Sequence, residues 1–135
     1  METGCLDRRC TDHANVSKCA KVAGVAIVAQ SIVKIEFYVP ESHLESVKAA
    51  MFTAGAGKVG NYDCCAWQTL GQGQFRPLAG SNPYVGNANK VEILAEYKVE
   101  MVCDSLIAGK AISAMKEAHP FEEVAYSVAP ILADV

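Results

Sequence analysis

Several absences narrow the field before any motif is read. The chain has no excess of positive charge, with 15 Asp and Glu against 12 Lys and Arg for a net charge of -3. It therefore lacks the summed positive field that gathers phosphates, and nothing in its charge supports nucleic acid as a partner. It has no basic start followed by an apolar stretch and a small-residue cleavage site; mixed polar residues, Glu2, Asp7 and Asp12 among them, come first. That layout is not a secretory signal. Its longest apolar run, Val22 to Val33, is broken by Gln30 and Ser31 and falls short of the roughly 20 residues a membrane helix needs. These absences point to a cytoplasmic protein with no membrane partner, whose six cysteines are reduced thiols and not a disulfide framework.

The cysteines also lack metal-site spacing. Cys5, Cys10, His13 and Cys19 offer zinc-type donors but no C-x-x-C pair,. Cys64 and Cys65 are adjacent in a predicted strand, so their side chains leave on opposite faces and read as small buried hydrophobes. Gly55-Ala-Gly-Lys-Val-Gly60 spells G-x-G-x-x-G, yet it follows a predicted helix instead of preceding one. No helix N-terminus then faces it, and a turn is the better reading.

What is present is a single domain's worth of chain, 135 residues, with a regular order of elements. Val33 to Val39 alternates strictly, with Val33, Ile35, Phe37 and Val39 on one face, as a half-buried strand does. Pro40 stops it. Ser42-x-x-Glu45 has the form of a capping box before a helix with Leu44, Val47, Met51 and Ala54 on one side, ended by Gly55. Tyr62 to Leu70 is a second strand. Gly71 to Asn89, rich in Gly, Pro, Asn, Gln and Ser, reads as a long loop of the kind that carries function. Val91 to Cys103 alternates again, with Val91, Ile93, Tyr97, Val99, Met101 and Cys103 facing the core and Glu92, Glu96, Lys98 and Glu100 facing water. Asp104 or Ser105 caps a second helix with Ala108, Ala111, Ile112 and Met115 buried; Pro120 ends it, and Val124 to Ile131 is a last strand. The implied fold is α+β, a ferredoxin-like βαββαβ unit: a four-stranded antiparallel sheet with two helices on one face. Residues 1–31 form an extension and 32–135 the domain. The uncovered sheet face and the edge strands invite self-association, as a trimer before a dimer.

Two stretches carry chemistry. Gly71-Gln-Gly-Gln-Phe-Arg-Pro77 combines glycine-exposed amides with one guanidinium, an anion or carboxylate grip; alternatively Arg76 pairs with Glu96 or Glu100. The second is His119-Pro-Phe-Glu-Glu123. A proline ending a helix and an aromatic plugging the core make a hinge. A histidine beside Glu122 and Glu123 can also hold a divalent metal or move a proton.

Val39-Pro-Glu-Ser-His43, Ala54 to Asp63, Gly71-x-Gly-x-Phe-Arg-Pro77, Gly80-Ser-Asn-Pro83, the Glu96 to Glu100 strand and His119-Pro-Phe-Glu-Glu123 together resemble the YqfO family, the Nif-three-like or NGG-one-interacting-factor proteins, over about Val33 to Ile131. More narrowly, the chain is similar to the domain inserted in the long bacterial members, which also occurs free-standing. The resemblance implies a fold related to CutA and PII, trimeric proteins associated with metal tolerance and nitrogen signalling, and a cluster at His119 facing a cleft between subunits. Long members, GTP cyclohydrolase homologues, hold two metals in lobes flanking the insert. With only His13, His43 and His119 here, that dinuclear site is not expected. The functional expectation is a non-enzymatic oligomeric module that binds a small anionic ligand through Gly71, Gly73, Phe75, Arg76, Glu96 and Glu100, or a divalent metal through His119, Glu122 and Glu123. The alternatives are a metal-dependent hydrolase using His119 with Glu122, and an interaction domain for a separate protein.

Overall fold

A computed structural model describes residues 31–132 of the protein. The expected extension, apart from Ser31, lies outside the described residues, with Cys5, Cys10, His13, Cys19 and most of the Val22 to Val33 run. The elements run β1 (Ile32–Val39), α1 (Glu41–Thr53), β2 (Trp67–Phe75), β3 (Glu92–Asp104), α2 (Ala108–Ala118) and β4 (Tyr126–Ile131). The sheet order is β2-β3-β1-β4 with every neighbouring pair antiparallel, the expected ferredoxin-like arrangement. Among the described residues no helix is long and apolar enough to cross a membrane.

The alternation in β1 translates directly into packing. Ile35, Phe37 and Val39 are fully buried, and they meet Val47 and Met51 of α1, Ala111 and Met115 of α2, and Val99 of β3. Burying such side chains is worth about 1.5–3 kcal/mol each, which makes this the stabilising centre of the domain. Helix α1 ends as expected. Gly55, at φ 106, gives its N–H to Phe52 O while Ala56 N–H reaches Met51 O, the paired bonds of a Schellman stop that a residue with a Cβ resists.

Four local expectations are corrected. The capping box at Ser42 and Glu45 does not form: Pro40 occupies the N-cap, no side chain caps the helix, and the Ser42 hydroxyl lies 2.8 Å from His43 Nδ1. Helix α2 is likewise uncapped by side chains; Asp104 Oδ1 accepts from Leu106 N–H in the turn before it. Cys64 is exposed at φ 53 and Cys65 half-buried, both in the turn before β2 and not in a strand, while Cys103 is the buried thiol. The largest correction concerns β2. It begins at Trp67 and runs through Gly71-Gln-Gly-Gln-Phe75, each residue paired with β3 from Trp67↔Glu100 to Phe75↔Glu92. The glycine- and glutamine-rich stretch is a strand because a neighbouring backbone supplies its hydrogen bonds, not because its side chains pack. The true loop is therefore 76–91.

The β2–β3 pair extends past the helices. Over Val99 to Cys103 the alternation in β3 matches burial, but Ile93, expected in the core, is 60% exposed and Glu96, expected in water, is buried. The helices leave Ile93 exposed at that end of the sheet, and on the opposite face something else covers Glu96.

Candidate functional site

The cover over Glu96 is a wall of loop and aromatic side chains on the sheet face opposite the helices. Register places Tyr38, Lys98 and Glu96 on that face together with Gly71, Gly73 and Phe75 of β2. The 76–91 loop folds back along it. Asn89 N–H bonds Pro77 O at 2.7 Å, and Asn82 N–H donates to Glu122 Oε1 at 2.8 Å, tying the loop to the segment before β4. Phe121 stands between Phe75, Tyr84 and His119, with ring centroids 6.3, 6.0 and 5.0 Å away. Tyr84 meets His43 edge-on at 5.8 Å. These spacings are those of favourable aromatic pairs. The half-buried Phe121 is thus a wall of this site and not the core plug expected of it.

Within the wall lies a cavity of about 570 Å³, in the size range of small-molecule sites. It brings together Gly73, Phe75, Arg76, Glu96, Glu122 and Glu123 from the expected sets. Gly71 and Glu100 do not line it, nor does His119. Tyr84 and Phe121, from the two stretches expected to carry the site, do, and so does Tyr38, of which no binding role was expected. The signals were present, in an aromatic on the wet face of β1 and another inside the glycine-rich stretch, but nothing in the sequence joined them.

The two expected carboxylates of β3 differ sharply. Glu100 belongs to a ring of ion pairs: Lys34 Nζ lies 2.6 Å from Glu36 and 3.1 Å from Glu100, and Lys98 Nζ lies 3.5 Å from each. The Lys34 ammonium bonded to Glu36 holds that carboxyl down at about 2. Glu96 has no such company. It is 9% exposed, and burial pushes its carboxyl above the ordinary value of 4.5, because a low-dielectric setting disfavours the charged form.

His119 is 7% exposed, and both its ring nitrogens are engaged. Nε2 donates to the Tyr38 carbonyl at 2.8 Å, and Nδ1 accepts the Phe121 N–H at 3.1 Å. The ring is therefore the neutral Nε2–H tautomer, and burial lowers its basicity below the ordinary 6.5. With neither lone pair nor proton free and Glu122 turned to Asn82, the histidine and carboxylates do not form a joint site. Among the described residues no three His, Cys, Asp or Glu side chains are grouped so as to hold a metal ion. Arg76 is exposed and enters no ion pair among the described residues, with Glu96 or Glu100 or any other.

Comparison with known proteins places this arrangement among relatives. The GTP cyclohydrolase 1 type 2 homolog of Bacillus subtilis is 40% identical over 98 residues, 73% of this chain and 26% of that protein. A Bacillus cereus protein related to NIF3 superposes with a TM-score of 0.67 at 36% identity, over 76% of this chain and 26% of its own. The divalent cation tolerance protein CutA of Archaeoglobus fulgidus gives 0.57 at 13% identity over 77% of this chain and 87% of its own. GlnK of B. subtilis gives 0.52 at 14% over 75% and 85%. The last two establish the fold alone. No protein-family model matches the chain.

Proposed function

From the chain's kinship with a segment of the NIF3-related proteins, the GTP cyclohydrolase 1 type 2 homologues, of whose length it spans about a quarter, we propose that its domain is a small-molecule-binding, regulatory module and not a catalytic one. The observation that carries this reading is the cavity of about 570 Å³, bordered by a loop tied at Asn82 to Glu122 and walled by Phe75, Tyr84 and Phe121. A concave, mostly apolar pocket with aromatic walls and a few convergent polar groups is what small-ligand sites look like,. The module extends over residues 32–135 and assembles with copies of itself, as a trimer, through its exposed edge strands and the part of the sheet face that the loop leaves uncovered. Hydrolysis by His119 and Glu122 finds less support, since the hydrogen bonds of the two side chains lead in different directions. The polar groups of the pocket bear on the ligand instead: Arg76 at its rim and Glu96 at its floor.

Native mass spectrometry of the purified protein tests both parts. The expected result is an oligomer carrying a non-covalent small molecule that is lost from a Phe121→Ala, Tyr84→Ala variant. An empty monomer at micromolar concentration, with no small molecule shifting its melting, would contradict the reading.

A further inference from the structure

The pocket contains a group that finds no partner among the described residues. Glu96 is nine-tenths buried and lines the cavity, yet among the described residues its carboxylate takes part in no hydrogen bond or ion pair. No fully enclosed side-chain polar atom among those residues lacks a partner, so the unused lone pairs of Glu96 open onto the cavity and not into packing. The neighbouring strand makes way for it. A Cβ at Gly73 would collide with Oε2 of Glu96 and lie 2.7 Å from its Cδ, so only glycine leaves the carboxylate in this place. A largely buried carboxylate with no partner among the described residues gives up part of its hydration, and such perturbed groups gather where a ligand will meet them.

The surroundings define what could meet it. Glu96, Glu122 and Glu123 line the cavity against a single guanidinium, the exposed Arg76. That balance favours a donor over an anion at the floor. The two nearest lysines on this sheet face, Lys34 and Lys98, are already held by Glu36 and Glu100. A carboxylate whose oxygens have no hydrogen-bond partner among the described residues can accept a planar pair of N–H donors in a two-pronged bond, and the tilted rings of Phe75, Phe121 and Tyr84 suit the flat faces of such a group. We propose that the ligand carries a planar edge with two N–H donors, a guanidinium, an amidinium or an amino-substituted nitrogen heterocycle, seated on Glu96 with its faces against Phe75 and Phe121. This rests on reading the cavity as a ligand site and specifies the chemistry that site selects.

Three flat probes of one shape separate the possibilities: benzamidine, benzoate and nitrobenzene, each titrated into the isotope-labelled full chain and followed by NMR. Benzamidine is expected to shift the resonances of Gly73, Phe75 and Phe121 and to bind about tenfold or more tighter than the other two, the difference a charge-assisted two-pronged bond makes. Glu96→Gln is expected to remove that advantage, and so is Gly73→Ala, which displaces the carboxylate while leaving it in the chain. If benzoate or nitrobenzene binds as tightly as benzamidine, or if both variants keep benzamidine affinity, the donor-edge inference is overturned while the pocket reading stands. If none of the three shifts the pocket resonances, both fall together.

Discussion

Two acidic positions on one face of the same sheet meet opposite fates. Glu36 sits in a ring with Lys34, Lys98 and Glu100 and is held at about 2. Glu96, farther along β3, is buried, alone among the described residues and pushed the other way. The ring satisfies itself. Its charges bridge β1 and β3, and little is left over for a ligand. The pocket leaves Glu96 without a partner among the described residues, which is the opening the proposed ligand would fill. The difference teaches that on this surface charge is not a guide to function; the unpaired charge is.

The largest effect that would sharpen the contrast is expected outside both carboxylate sites, at the post that holds the pocket wall. His119→Ala strands the Tyr38 carbonyl and the Phe121 N–H and empties a buried volume, at a cost of about 2–3 kcal/mol in urea unfolding. The sign of its pH dependence follows from a basicity lowered in the fold. The unfolded chain takes up the proton first, so stability declines as pH falls below about 6.5, and the Ala variant loses this dependence.

A smaller effect of opposite origin is expected at the ring. Because the Glu36 carboxyl is depressed, its contribution is present above the ordinary 4.5 and disappears as pH falls from there toward about 2,. Glu36→Gln should flatten the melting temperature across that window, with the ordinary screening of exposed pairs by salt. An unchanged acid profile would mean that the ring is ornamental.

The smallest effect, and the one with reversed sign, is expected at Glu96. Its folded form retains a proton in a window above 4.5 where the unfolded chain has lost it, so stability falls as pH rises through that window. Glu96→Gln should therefore melt slightly higher than the wild type at neutral pH, by less than about 1 kcal/mol, while losing ligand. Lower stability in that variant would indicate a hydrogen-bonded partner for Glu96.

The same division governs how much was legible in the sequence. β1, both helices and the later half of β3 could be read because their apolar spacing answers to one core, with Phe37, Met51, Val99 and Met115 at its centre. β2 could not, because Gly71 to Phe75 owes its strand geometry to the backbone of β3, and one sequence does not display pairing. The residue types of the pocket, Gly73, Phe75, Arg76, Glu96 and the Glu122–Glu123 pair, were legible as chemistry. Their separation from Glu100 and His119 was not. The place of His119 depends on a carbonyl at Tyr38, far away in the chain, and the burial of Glu96 depends on a loop and aromatic side chains folded over the sheet face opposite the helices.

Site-resolved carbon-13 NMR titration of the glutamate carboxyls compares the two positions in one sample and tests the central claim most directly. Glu36 is expected to titrate near about 2 and Glu96 above the ordinary 4.5 in the ligand-free protein. A Glu96 that titrates at or below 4.5 would show a carboxylate already paired or in open water, leaving the pocket without the unmet group on which its ligand chemistry rests.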